Sequence, residues 1–168
     1  MLTPFVIVFG FLVAEAFRAA RNERAQRARG GVEPPDDVYK MMRVAYPAAF
    51  LVMFVEGLLR GAPMPLFVVA GAIVFAAAKL LKWWAILSLG PSWTFRVIVV
   101  PGAARVTSGP YRALRHPNYV AVVGELVGAA VMTGARVAGP IAAIVFAWLM
   151  LKRIAVENRA LECYTPRR

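Results

Sequence analysis

The sequence predicts an all-α integral membrane protein with about five transmembrane helices. Three observations carry this. Of the 168 residues, 60% are hydrophobic and the mean hydropathy is +0.62, well above the ~45–50% apolar share of a soluble domain. The apolar residues gather into five runs separated by proline and glycine. The 20 Lys and Arg residues, which outnumber the 9 acids to give a net charge of +11, gather in alternate connections. A disordered tail and a soluble basic nucleic-acid binder are both excluded by that apolar content, and no nucleic-acid partner is needed to explain the charge. The length suits a single domain over residues 1–168.

The first run, Leu2 to Phe17, is apolar apart from Glu15 and turns basic at Arg18. A signal peptide carries its charges before the apolar stretch, so a retained helix is expected. Arg18 to Asp37 is charged, ends in Glu33-Pro34-Pro35-Asp36-Asp37, and reads as a short surface helix followed by a turn. The second run is Val44 to Leu59, and the third is Leu66 to Leu87, interrupted only by Lys79 and Lys82. The fourth is Tyr119 to Thr133 and the fifth is Val137 to Leu151, followed by Lys152-Arg153. These last two are short for a bilayer core of ~30 Å and are expected to reach water through flanking residues or to be sheltered by other helices.

Basic residues crowd the connection between runs one and two, the connection between three and four (Arg96, Arg105, Arg112, Arg115), and the segment after run five, including Arg167 and Arg168. The other two connections carry only Arg60 and Arg136. The positive-inside rule then puts the N-terminus outside and the C-terminus in the cytoplasm. Anionic membrane lipid is a sufficient partner for these loops.

Chemistry concentrates in two places. Between runs three and four, Phe95 to Val100 is β-branched and bounded by Pro101-Gly102, which suggests a short extended or hairpin element. That connection ends in Arg115-His116-Pro117-Asn118-Tyr119. Pro117 suits a first helical position and puts His116 at the cap. The free N–H groups of the first turn, with Arg112, Arg115 and His116, would favour an anion; a plainly capped membrane helix is an equally good reading. After run five, a continued helix places Arg153, Glu157 and Leu161 at successive i, i+4 positions, with Asn158 beside them. Such a face lines a polar pocket or forms a solvated tail.

Three acids interrupt apolar runs. Glu15 and Glu56 lie near run ends and are expected to reach headgroups. Glu125, about 12 Å deep from Pro117 at ~1.5 Å per residue, is a functional candidate with Lys79 or Lys82 as partner, or else one buried ion pair or a protonated carboxyl used in packing. Gly124 and Gly128 offer close helix packing. Trp83, Trp84 and Trp93 read first as interfacial anchors and second as walls of a substrate groove. His116 is the only histidine and Cys163 the only cysteine, so neither a protein-ligated zinc nor an internal disulfide is expected.

Ser108-Gly109-Pro110-Tyr111, Arg115-His116-Pro117-Asn118-Tyr119 and Arg153-Ile154 followed by Glu157 and Leu161, with Leu89-Gly90 and Trp93 upstream, resemble the isoprenylcysteine carboxyl methyltransferase family. The resemblance covers about the C-terminal half, residues 88–168. It implies an integral membrane methyltransferase using S-adenosyl-L-methionine, held at the cytoplasmic ends of the last two spans. Carried over, Tyr111, Arg115, His116, Pro117, Tyr119, Glu157, Asn158 and Leu161 would bind the cofactor. Glu157 would also be catalytic, and Arg153, on its i, i+4 proximity to Glu157 alone, is a catalytic candidate for orienting an anionic substrate. The acceptor would be lipidic, with a carboxylate or hydroxyl as the methylated group.

Two departures stand out. The family often has consecutive acids where this chain has Glu157-Asn158, and the aromatic-rich tail is replaced by Glu162-Cys163-Tyr164-Thr165-Pro166-Arg167-Arg168, which implies a shorter lid over the cofactor. Arg21-Asn22-Glu23-Arg24-Ala25 followed by Gly30-Gly31-Val32-Glu33 is similar to the small bacterial members, some of which resemble O-methyltransferases of alkylresorcinols or alkylpyrones; that implies a bacterial inner membrane. Two other readings are a membrane oxidoreductase related to sterol reductases, for which the chain is short and its basic contacts few, and a non-catalytic membrane scaffold.

Overall fold

The computed structural model describes residues 2–61 and 63–164, apart from the side chain of Tyr164. Ala62 and residues 165–168, with Arg167 and Arg168 of the basic tail, lie outside the described residues. Five helices follow one another: α1 (Leu2–Ala28), α2 (Tyr39–Arg60), α3 (Pro65–Leu89), α4 (Pro117–Thr133) and α5 (Ala138–Tyr164). Four are long and apolar enough to cross a membrane, and α4, with 17 residues, is the short one. Large apolar side chains such as Val6, Leu51, Ile73, Leu80 and Ile144 point outward, as they do where lipid is the solvent.

The helix ends follow local chemistry. α1 does not stop where the charges begin. Arg18 to Ala28 contains strong helix formers and neither glycine nor proline, so the helix runs unbroken for 27 residues. Gly30, at φ 78°, then closes it, with the Gly31 N–H donating to the Gln26 carbonyl. Arg18 to Asp37 is therefore not a separate surface helix. Asn22 and Gln26 are buried, donating to the carbonyls of Trp93 (2.8 Å) and Pro91 (3.3 Å), so the far end of α1 braces the α3–α4 connection. α5 is likewise longer than its apolar run, at 27 residues. It starts under a cap supplied by α2: the Glu56 carboxylate accepts the N–H groups of Val137 (3.1 Å) and Ala138 (2.7 Å), and pairs with Arg60. Glu56 is thus a cap borrowed from another helix rather than a headgroup contact.

α3 and α4 pack most closely. A Cβ on Gly128 would lie 2.6 Å from the Phe75 amide nitrogen, and one on Gly124 would lie 2.8 Å from the Ala78 Cβ. A core of Phe50, Met53, Phe54, Phe75, Leu126 and Phe146 fills the space between α2, α3, α4 and α5. Into it is set a charged cluster. Lys79 and Lys82 of α3 each contact both Glu15 of α1 and Glu125 of α4, at 2.7–3.3 Å. The Tyr46 hydroxyl of α2 donates to Glu125. Both carboxylates are fully buried. Glu125 therefore has both lysines as partners, and Glu15 does not reach a headgroup. Each carboxylate neutralises charge that neither helix could carry alone in an apolar medium.

Phe95 to Val100 bends at Phe95 and Arg96 and forms no hairpin among the described residues. Its pairing is one antiparallel bridge between Val32 and Val99.

Candidate active site

A cavity of about 390 Å³ opens between the α3–α4 connection, the start of α4 and the last part of α5. Pro117 opens α4 as its first helical residue with His116 at the cap, as its missing N–H allows. The connection folds over as the opposite wall. Trp93 is 3% exposed and packs edge-on to Phe95 at a centroid distance of 5.3 Å, so it is a buried wall residue, whereas Trp84 is an exposed aromatic and Trp83 is half-buried beneath Arg18.

Every residue singled out for the cofactor or for catalysis lines this cavity: Tyr111, Arg115, His116, Pro117, Tyr119, Arg153, Glu157, Asn158 and Leu161. Arg112 does not; it is exposed at the end of a 3₁₀ turn, Gly109–Arg112.

The polar core of the site is a relay across two helices. The Tyr119 hydroxyl donates to Glu157 Oε2 at 2.9 Å and accepts from Arg153 Nε at 3.0 Å. His116 Nδ1 stands 3.8 Å from the same Glu157 oxygen, its ring tilted against Tyr119. Burial, together with the Glu157 carboxylate, holds the Tyr111 phenol above its usual pKa, so it remains a neutral hydroxyl. Asn118 Oδ1 is buried behind the cavity wall with no donor among the described residues. A buried acceptor left without a partner is costly.

Sequence reasoning missed the frame that holds this wall. Arg96 lies over the Tyr39 ring and pairs with Glu33 at 2.6 Å and Glu23 at 3.5 Å; Glu33 also pairs with Arg27. Burial opposes ionisation of Glu33, but the hydrogen bonds from Arg96 and Arg27 outweigh it and hold its carboxyl below the usual range. Asp37, which the sequence marks only as the end of a turn, does more. Its carboxylate accepts the Val97 N–H at 2.8 Å and pairs with Arg153 at 3.3 Å.

A second, more open groove of about 490 Å³ runs between α2 and α5 past Ala45, Ala49 and Ile141. Its charged residues, Glu56 and Arg60, are already used in capping α5, so the first cavity is the one with convergent polar groups available to a ligand.

Residues 69–163 match the family model described as the isoprenylcysteine carboxyl methyltransferase (ICMT) family. The Bacillus subtilis protein YpbQ, described as uncharacterized, is 30% identical over 152 residues, covering 90% of each chain. An uncharacterized protein of Haemophilus influenzae is 20% identical over 148 residues, covering 88% of this chain and 86% of that one. No solved structure matches the chain.

Proposed function

Because the chain belongs to the isoprenylcysteine carboxyl methyltransferase family, we propose that it is an S-adenosylmethionine-dependent membrane O-methyltransferase acting on a carboxylate or hydroxyl of a lipidic acceptor. The observation that carries the reading is the convergence of Tyr119, Arg153 and Glu157 on one cavity. The residues present fit the cofactor. The cavity lies within the ~300–1,000 Å³ range of small-molecule sites. The first turn of α4, with Arg115 beside it, suits a carboxylate. Glu157 is the one acid among the described lining residues and suits a positive group.

Bound there, S-adenosylmethionine supplies an activated methyl group. The protein's part is to exclude water and to hold the acceptor oxygen in line. Arg153, 7% exposed, retains N–H groups beyond those given to Tyr119 and Asp37, and orients an anionic acceptor. A carboxylate acceptor needs no base at neutral pH, whereas a phenol, with a pKa near ~10, needs a base or a cationic neighbour. The exposed apolar helix faces leave the acceptor's tail in the bilayer. The basic connections support a cytoplasmic site, with the N-terminus outside, in a bacterial inner membrane.

The test is methyl transfer from labelled S-adenosylmethionine to a bacterial lipid extract by the purified chain in detergent, with the product identified by mass. Alkali releases label from a carboxyl ester and not from a phenol ether, which separates the acceptor classes. No binding of S-adenosylmethionine by the intact chain refutes the reading.

A further inference from the structure

Arg153 and Glu157 stand four residues apart on α5, the spacing at which opposite charges usually pair directly. Here they do not: among the described residues no ion pair joins them, and the Tyr119 hydroxyl sits between, bonded to each. The guanidinium is drawn the other way, with Nη1 3.3 Å from Asp37 Oδ1. Asp37 comes from the loop between α1 and α2, outside the stretch 69–163 that carries the family match. Its side chain is 4% exposed and is fixed from three sides. Oδ1 also accepts the Tyr39 N–H at 3.1 Å, and Oδ2 accepts the Val97 N–H at 2.8 Å. A buried carboxylate with two backbone donors and one guanidinium is a rigid counter-ion.

We propose that Asp37 is a positioning residue that holds Arg153 off Glu157, so that the Glu157 carboxylate keeps its charge uncompensated toward the cavity and attracts the positively charged sulfur of the methyl donor. The proposal rests on the S-adenosylmethionine reading above. Asp37 and Glu157 compete for one guanidinium, and the geometry assigns it to Asp37. If the Asp37 charge is removed, Glu157 is the anion left within reach of Arg153, separated from it only by the Tyr119 hydroxyl. Once paired, Glu157 no longer offsets Arg105 and Arg115 on the cavity wall, and a sulfonium meets a site whose one acid among the described lining residues is already compensated.

Two ligands differing by that one charge test this. S-adenosylmethionine is a sulfonium; S-adenosylhomocysteine lacks the methyl group and is neutral at sulfur. Binding of both is measured by calorimetry on the full chain in detergent, for wild type, Asp37→Asn, Arg153→Met and the double variant. Asp37→Asn is expected to weaken S-adenosylmethionine about tenfold while S-adenosylhomocysteine changes by less than about twofold. The double variant is expected to match Arg153→Met in its preference for the sulfonium, because no guanidinium remains to cover Glu157, though methyl transfer stays low. Equal weakening of both ligands, or no rescue by Arg153→Met, overturns the proposal and leaves Asp37 a loop brace. A thermal melt reports folding of each variant. If Asp37→Asn does not fold, Asp37→Ser, which keeps an acceptor for the Tyr39 N–H, carries the same comparison. Wild-type protein that binds neither ligand is a different result: it removes the methyltransferase reading, and this proposal with it.

Discussion

Glu15→Gln is the most informative single change away from the cavity. Lys79 Nζ lies 2.8 Å from Glu15 Oε1 and 3.1 Å from Glu125 Oε1, while Lys82 Nζ lies 2.7 Å from Glu15 Oε2 and 3.3 Å from Glu125 Oε2. Each ammonium touches both carboxylates, and the two charges of each sign cancel. Glutamine keeps the shape and one acceptor oxygen but leaves two ammonium groups facing one carboxylate. Glu15 is 0% exposed, Lys79 5% and Lys82 2%, so water cannot take up the difference. Removing one side of a buried pair costs ~3–5 kcal/mol. The lower end is expected, about 3 kcal/mol, because Glu125 still contacts both lysines. Lys79→Gln alone leaves the opposite imbalance and a similar cost. Combining the two restores neutrality, so the double variant is expected to be more stable than the sum of the singles by ~1–3 kcal/mol. The assay is reversible unfolding in mixed detergent and dodecyl sulfate micelles, followed by far-ultraviolet circular dichroism, for wild type, both singles and the double. Single losses below about 1 kcal/mol, or strict additivity in the double variant, refute the claim that the four groups act as one neutral unit.

Three further outcomes follow from the same geometry. Gly128→Ala forces a Cβ to within 2.6 Å of backbone on α3 and is expected to cost ~1–3 kcal/mol in the same unfolding assay; Gly10→Ala, with nothing within 4 Å, is the neutral control. Tyr119→Phe removes the hydroxyl shared by Arg153 and Glu157 and is expected to lower methyl transfer about tenfold with little change in melting temperature; an unchanged turnover would contradict the relay. Glu33 carries a lowered pKa, so the stability it adds is present above the ordinary value of 4.5 and is lost as pH falls through its lower folded value. The melting difference between wild type and Glu33→Gln should therefore be positive near neutral pH and vanish in acid.

The sequence foretold the spans because lipid imposes long apolar runs and leaves glycine and proline to break them. It also foretold the cap at His116-Pro117, since proline geometry is a local rule, whereas i, i+4 spacing put Arg153, Glu157 and Leu161 on one face and left open whether that face lines a pocket or is solvated. The helix extents were harder. α1 runs past its charges because helix propensity does not fall where hydropathy does. The Glu15 pairing is not legible from the runs alone, because they hold three acids against two lysines, and only the fold shows that Glu56 is spent on capping α5. Asp37 was the least legible: it lies 116 residues from Arg153, and nothing local separates a turn aspartate from an anchor.

The two polar clusters are joined through α4. Tyr119 and Glu125 are six residues apart on that helix, about 240° around it at ~100° per residue. One face of α4 therefore carries the relay to α5, and another carries the pairing with α1 and α3. Glycine packing fixes how near α4 lies to α3. The ion cluster adds to the rotational register of α4, because a rotation that turned Glu125 away would leave both ammonium groups with Glu15 alone in an apolar core. The same rotation would take Tyr119 from between Arg153 and Glu157. The charges buried in the span region thus set the angle at which α4 presents Tyr119 to the site. A variant that weakens the cluster should then loosen the Tyr119 relay as well as the fold, although no cluster residue lines the cavity.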